Sequence, residues 1–265
     1  MLKTEMRNAN TMHIDKMTSA EMVAAMAREN YRAAAAVEEQ SEAIARGVDM
    51  IAEAFHRGHR LFFVGCGTSG RLGVLDAVEC PPTFGADPSM VQGIIAGGER
   101  RMFAASENEE DKDDKGRLDV EERGVSAGDV VVGVSVAGGA AYVVGALGRA
   151  RELGAATVAL TCNEGSPIAA VSDLAIVTDT GPEVITGSTR LKAGTAQKLI
   201  LNMLSTGAMI QNGYVYENLM VNLKPTNTKL KQRVISIVSD ITGEDMEHSE
   251  VRLEKNNWNI REAIR

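Results

Sequence analysis

Residues 61–70 read LFFVGCGTSG, an apolar run of strand length followed directly by a turn with glycine at positions 65, 67 and 70. The run at 61–64 is continuously apolar rather than alternating, which is typical of a strand buried on both faces of a parallel sheet. After the turn, residues 69–77 have the composition of a helix. A strand, a glycine-rich turn and a helix in this order indicate an α/β fold.

Four more short apolar runs rich in Val, Ile or Leu follow this unit, at 91–96, 130–136, 157–161 and 174–177. The stretches 101–109, 142–153 and 166–171 between them have helical composition or spacing. Strand and helix therefore alternate, which implies right-handed crossovers. We predict a three-layer α/β/α fold built on a five-stranded parallel sheet.

Helices are also predicted on both sides of this alternating region. Residues 19–56 contain no proline and read as one or two long helices, and 189–210 and 226–241 read as two more. The final charged stretch carries the single tryptophan, Trp258, and reads as a helical tail anchored by it. We therefore expect a main domain with an N-terminal helical extension over 1–241 and a small helical appendage over 242–265.

Composition excludes several classes of partner. The 265 residues carry a formal net charge of −8, so nucleic acid or an acidic membrane surface would be repelled on average. The N-terminal residues show neither a signal peptide nor a membrane span. The three cysteines are odd in number and lie in or near apolar segments, which favours reduced thiols in the cytoplasm.

The turn after the first strand has the features of an anion site. It supplies flexible backbone at Gly67 and hydroxyls at Thr68 and Ser69, next to the N–H groups of a helix start. A tight connection without a ligand remains an alternative. A dinucleotide fits poorly, because residues 91–98 contain no acidic side chain for a ribose.

Two other loops are candidates for the same ligand. One follows the third strand and contains Ser135 and Gly138, where the backbone would do most of any anion binding, although a permissive turn explains it equally well. The other contains Ser188 and Thr189 and leads into a helix that starts near Arg190 and Lys192. Basic residues at the start of a helix are unfavourable, because the helix dipole is positive there. A nearby anion or acidic partner would explain their presence. Surface charges without a function are the alternative.

Glu79 is the carboxylate singled out by its position, between an apolar helix and an expected rigid turn at residues 80–82. An apolar wall would raise its pKa and suit it to general acid catalysis, whereas an ordinary helix-end glutamate is the alternative. The acidic run at 107–114 reads as a solvated helix end. His56 and His59 have no third ligand in view, so no metal is assigned.

Three segments together carry a family resemblance: VGCGTSGRLGVLDA with ECPPTFG at 64–85, IIAGGE at 94–99 and GPEVITGSTRLKAGTAQK at 181–198. Over roughly residues 12–241 the chain resembles the N-acetylmuramic acid 6-phosphate etherases, and glucokinase regulatory proteins share part of the pattern. The resemblance implies a sugar-isomerase (SIS) domain, a homodimer and no metal or organic cofactor. It also implies a phosphorylated amino sugar as substrate, cleaved to N-acetylglucosamine 6-phosphate and D-lactate in cell-wall recycling.

The resemblance also assigns roles to individual residues. By family position Glu79 would be the catalytic acid and Glu110 the catalytic base. The substrate and its phosphate would be bound by Gly67, Thr68, Ser69, Ser135, Gly138, Glu183, Ser188, Thr189 and Lys192.

One loop departs from the family pattern. Where the etherases usually read Ser-Gly-Arg-Thr-Pro, residues 137–141 read AGGAA, so two hydroxyls and a guanidinium are absent. Each lost phosphate hydrogen bond would weaken binding by about 1.5–3 kcal/mol. Two alternatives to the etherase therefore stay open: a non-catalytic phosphosugar sensor or regulator, and an etherase-like lyase with a different substrate.

Overall fold

Five parallel strands lie at the centre of the computed structural model, which describes residues 2–105, 108–223, 225 and 227–265. The strands are β1 (Leu61–Gly65), β2 (Val91–Ile95), β3 (Val130–Val134), β4 (Ala156–Thr161) and β5 (Leu174–Val177). Their order in the sheet is β2-β1-β3-β4-β5, with β1 parallel to both β2 and β3. The predicted five-stranded parallel sheet is confirmed.

Helices connect and surround the strands. They are α1 (Ser19–Glu38), α2 (Ser41–His56), α3 (Gly67–Phe84), α4 (Asp113–Glu122), α5 (Ala141–Glu152), α6 (Pro167–Ala170), α7 (Lys192–Gln211), α8 (Thr228–Thr242), α9 (Met246–Lys255) and α10 (Ile260–Ala263). The long N-terminal segment thus forms two helices, and Thr18 begins the first with a capping box completed by Glu21. The sequence did not predict the short hairpin of β6 (Val215–Tyr216) and β7 (Leu219–Met220).

The strands bury side chains on both faces of the sheet. Leu61 and Phe63 pack with α1, α2, α3 and α7, whereas Phe62 and Val64 pack with α4, α5 and α6. All four side chains are almost completely buried. This alternation explains the continuous apolar runs and confirms the three-layer α/β/α fold.

The helix expected at residues 101–109 was wrong. A single short 3₁₀ turn at Glu99–Met102 occupies the described part of this stretch, and residues 106 and 107 lie outside the described chain. The helix begins later, with Asp113 and Asp114 in the first turn of α4. Carboxylates are favoured at a helix N-terminus by the dipole, so this acidic run starts a helix rather than ending one.

The rigid turn expected at residues 80–82 was also wrong, because α3 continues through Pro81 and Pro82. The helix ends at Gly85, which adopts a left-handed conformation with φ of 64° and donates its N–H to the Pro81 carbonyl. Both prolines lie in the last turn, and because they have no N–H they cannot donate helical hydrogen bonds to the carbonyls of residues 77 and 78.

The C-terminal helices have an apolar cluster of their own. Residues of α8, α9 and α10 pack together with Val221 and Leu223, and Trp258 lies against this cluster with Lys231 Nζ 4.9 Å from its ring centre. The helix before residue 242 therefore packs with those after it, and the boundary at 241/242 stays a prediction. Across the described chain, no helix combines the length and apolar character needed to cross a bilayer.

Helices α4 and α5 pack so closely that two positions between them, Gly116 and Gly145, accept only glycine. A Cβ at Gly145 would lie 2.4 Å from the Asp113 carbonyl oxygen. The same contact region holds the chain before α4, since the Tyr142 N–H donates to the Glu110 carbonyl at 2.9 Å. The position of Glu110 thus depends on the packing of α4 on α5.

Gly145→Ala is expected to lower the free energy of unfolding by about 1–3 kcal/mol, because two helices must separate to admit the methyl group. Gly148→Ala is the matched control on the same helix, since its nearest contact, Arg117 Nη1, is 3.8 Å away. It should be neutral or stabilising by up to about 1 kcal/mol. Urea unfolding of both variants checks this, and equal midpoints would contradict the close packing.

Candidate functional site

A cavity of about 360 Å³ opens at the carboxyl ends of β1 and β3. The chain turns in opposite directions from these two neighbouring strands, which is where open α/β sheets bind ligands. The residues that the sequence predicted for the site and that line this cavity are Gly67, Thr68, Ser69, Glu110, Ser135 and Thr189. Three separate loops and the start of α3 are therefore brought together as expected.

A larger groove of about 780 Å³ runs along the outer edge of β2, between α3 and α4. It has an apolar wall at Val74 and Val78 and shares only Glu109 with the smaller cavity. The larger groove lies away from the switch between β1 and β3. We therefore take the smaller cavity as the candidate site.

The first turn of α3 directs free N–H groups at the cavity. Among the described residues, the N–H groups of Gly67, Thr68 and Ser69 have no intramolecular acceptor, and Gly70 is the first to bond back, to Cys66. Free N–H groups and the positive end of the helix dipole attract an anion. The Ser69 hydroxyl faces the other way and donates to Gln197 Oε1 of α7 at 2.9 Å.

The loop after β3 is folded on itself around Gly138. Its N–H donates to Ser135 Oγ at 3.2 Å, and its carbonyl accepts the Ile168 N–H. A Cβ at Gly138 would lie 2.3 Å from Ser166 Cβ, and its φ is 75°. Glycine is thus required by packing, and its own N–H is already used within the loop.

Two adjacent carboxylates line the cavity but differ in their partners. Glu109 pairs with Lys112 at 3.1 Å, and its second oxygen lies 3.7 Å from Arg101. Glu110 is exposed and has no ion pair in the part of the chain that the structure describes. Of the two, Glu110 is the carboxylate left free to accept a proton.

Glu183 and Lys192, both predicted to bind substrate, are engaged by the protein itself. The buried Glu183 carboxylate accepts the backbone N–H groups of Lys192 and Ala193 at 3.0 and 2.9 Å and so caps α7. The Lys192 ammonium is 2% exposed and pairs with Glu29 of α1 at 2.5 Å. The acidic partner that the basic helix start required is therefore intramolecular, and neither residue lines the cavity.

An N-terminal segment, residues 3–16, completes this network. Asn8 and Asn10 donate to the two Glu29 carboxylate oxygens at 2.7 and 2.8 Å. Burial works against the charged form of Glu29, but hydrogen bonds from Lys192, Asn10 and Asn8 outweigh it and hold its pKa below the ordinary value. Thr11 donates to the Val184 carbonyl, so the segment also fixes the loop that carries Ser188 and Thr189.

Glu79 lies outside the cavity of its own chain. It is exposed on α3, twelve residues beyond Gly67, which places it about 18 Å farther along the helix axis. It is exposed rather than buried against an apolar wall, and the expected turn beside it is a continuing helix. Its role as the acid stays a prediction.

Several lining residues were missed by the sequence reasoning, among them Cys66, Arg71, Arg101 and Glu109. The Arg71 guanidinium donates to the carbonyls of Met102 and Ala104 and so holds the loop after β2 against the cavity. The Gly-Gly pair at 97–98 is the sequence feature that could have predicted these residues. It forms a turn after β2 at the same edge of the sheet, and this turn places Arg101 at the cavity.

Several curated proteins are similar to this chain over almost its whole length. A protein of Clostridium beijerinckii named N-acetylmuramic acid 6-phosphate etherase is 49% identical over 263 residues, which cover 99% of this chain and 86% of that protein. One of Symbiobacterium thermophilum with the same name is 50% identical over 99% of this chain and 87% of its own length. The resemblance drawn from the sequence is confirmed.

Family models and solved structures agree with the fold. The model of the glucokinase regulatory protein N-terminal SIS domain matches residues 43–151, and the SIS domain model matches residues 119–207. Phosphoheptose isomerase from Neisseria gonorrhoeae superposes with a TM-score of 0.52 at 20% identity over 74% of this chain and 99% of its own. Phosphoheptose isomerase from Francisella tularensis gives 0.55 at 15% identity over 72% and 98%. These likenesses establish an SIS fold.

Cys66 offers a probe of the carboxylates in the cavity. Burial is the main reason that the pKa of the Cys66 thiol is raised to about 12, and the negative charge of Glu110 is the second. The thiol should therefore react slowly with iodoacetamide at pH 8, and Glu110→Gln should lower its pKa and speed the reaction by less than about tenfold, since burial remains.

Peptide mass spectrometry of the alkylated protein measures this rate at Cys66 alone. Glu122→Gln, an exposed change on α4, is the matched control and should leave the rate unaltered. An equal rate in the Glu110→Gln and control proteins would contradict the proximity of Glu110 to the thiol.

Proposed function

The chain belongs to the N-acetylmuramic acid 6-phosphate etherase family, and from that premise we propose that it is a carbon–oxygen lyase acting on N-acetylmuramic acid 6-phosphate. The products are N-acetylglucosamine 6-phosphate and D-lactate. The observation that carries the proposal is the single cavity where free N–H groups of α3 face an unpaired carboxylate, Glu110. An anion site beside a base is what a phosphorylated sugar undergoing proton abstraction requires.

The proposed reaction begins on the opened sugar. Glu110 removes the proton at C2, which is acidified by the neighbouring C1 aldehyde, and the C3–O bond to the lactyl group breaks. The ether oxygen takes a proton from the acid and leaves as lactate. Water then adds to C3 of the unsaturated aldehyde, which restores the hydroxyl and gives the amino sugar phosphate.

The acid is proposed to be Glu79 of a second copy in a homodimer. Within one chain Glu79 is too far from Glu110's cavity to share a substrate with it. Leu75, Val78 and Pro82 flank Glu79 on the exposed face of α3 at helical spacing, and Leu75 and Val78 are 47% and 57% exposed. An exposed apolar stripe around a carboxylate is expected where a second subunit packs.

We place the enzyme in the cytoplasm, in a route that recovers cell-wall sugars. The three free cysteines support a reducing compartment, since Cys80 and Cys162 are buried and Cys66 is partly buried, without a disulfide between them. The substrate's phosphate supports it as well, because phosphorylated sugars are retained inside cells by their charge.

D-lactate release from N-acetylmuramic acid 6-phosphate tests the function. Glu110→Gln should lower kcat by about 100- to 10,000-fold, because a general base is lost. Glu109→Gln should cost far less, since Glu109 is held by Lys112. A larger loss in Glu109→Gln would transfer the role of base to Glu109, and tight sugar phosphate binding without lactate release by the wild type would indicate a regulator.

Mixed dimers test whether the acid comes from the other subunit. Glu79→Gln and Glu110→Gln chains are each expected to be inactive alone. Coexpressed with different tags and purified as mixed dimers, they should recover up to roughly half of the wild-type activity, because one of the two sites holds both carboxylates. No recovery in a dimer that forms normally would contradict an acid supplied by the partner.

A further inference from the structure

Arg101 stands out in the cavity as a cation whose recorded ion pair, with Glu109, is long. It lies in the short turn Glu99–Met102 after β2, and its side chain is about one third exposed. Its Nε atom is buried and has no hydrogen-bond acceptor among the described residues. Its nearest carboxylate, on Glu109, is 3.7 Å away, which is longer than a hydrogen bond.

The other cations near the cavity are already in use. The Arg71 Nε and Nη2 atoms donate to backbone carbonyls of residues 102 and 104 at 3.1 and 3.0 Å. The Lys112 ammonium forms an ion pair with Glu109. The Lys192 ammonium forms one with Glu29, outside the cavity lining. Of the two described arginines that line the cavity, Arg71 has two of its nitrogens hydrogen-bonded, whereas Arg101 makes only the long contact with Glu109.

The loop across the cavity provides no charged side chain for an anion. Ala137 and Ala140 line it with methyl groups, and Ser135, whose Oγ accepts the Gly138 N–H, has a single O–H to donate. A guanidinium presents a planar fork of donors that matches the paired oxygens of a phosphate or carboxylate. An oxyanion bound in the cavity would give the guanidinium the close acceptor that the Glu109 carboxylate, 3.7 Å away, does not provide.

We infer that Arg101 binds an oxyanion of the substrate and takes the place of a loop side chain that residues 137–141 lack. The inference rests on the proposed function, which supplies two such groups: the 6-phosphate and the carboxylate of the lactyl ether. Arg101 is accordingly a specificity-determining residue of this site, and the two anions can be told apart by experiment.

Calorimetric titration with two ligands makes this distinction. N-acetylglucosamine 6-phosphate carries the phosphate without the lactyl group, and N-acetylmuramic acid carries the lactyl carboxylate without the phosphate. Arg101→Gln should weaken binding of one of them at least tenfold and leave the other unchanged, which identifies the anion. Arg101→Lys should recover part of the affinity, because lysine keeps the positive charge. The recovery should be incomplete, because lysine lacks the planar pair of donors of a guanidinium.

Arg100→Gln is the matched control, since Arg100 is the exposed neighbour and lies outside the cavity lining. It removes the same charge and should leave both affinities within twofold. A residue with only a structural role would lower the melting temperature when replaced, whereas Arg101→Gln should leave it unchanged or raise it, because a buried unpaired N–H is removed.

Unchanged affinity of Arg101→Gln for both ligands would overturn the inference. So would a wild-type protein that binds neither, which would also count against the proposed function. Binding that depends on Arg101, together with no D-lactate release from N-acetylmuramic acid 6-phosphate, would overturn the proposed lyase activity and support the anion-binding role of Arg101.

Discussion

The buried ion pair between Lys192 and Glu29 joins parts of the chain that are otherwise far apart. Lys192 starts α7, Glu29 lies in the middle of α1, and the Asn8 and Asn10 amides complete the carboxylate's hydrogen bonds. Removing one partner of such a pair typically costs about 3–5 kcal/mol, because the other charge is left buried. The start of α7, and with it the loop bearing Thr189, is positioned by this contact.

The cavity itself combines two opposite electrostatic demands. Helix N-termini and Arg101 favour an anion, while Glu109 and Glu110 place negative charge a short distance away. Lys112 and Arg101 lie beside Glu109, whereas Glu110 has no ion pair among the described residues. A substrate with an anionic group and an acidic C–H bond fits this division better than a neutral sugar would.

Local patterns predicted the sheet and the glycine turn well, because a buried parallel strand and a phosphate-type turn each leave a signature within a few residues. The same reasoning failed where the partner is remote. Lys192 looked like a ligand-binding cation because Glu29, 163 residues earlier in the chain, cannot be paired with it by spacing. Arg101 went unnoticed because its place depends on a 3₁₀ turn in a stretch that looked helical.

The N-terminal segment has a consequence for the order of assembly. Its hydrogen bonds reach Pro182 and Val184, partners 174 and 173 residues later in the chain. On the ribosome this segment therefore cannot dock until residues 182 and 184, which follow all five strands of the sheet, have been synthesised. Contacts of such long sequence separation form slowly, so the loop of Thr189 becomes ordered late, and a nascent chain gains its ligand site only after this segment has docked.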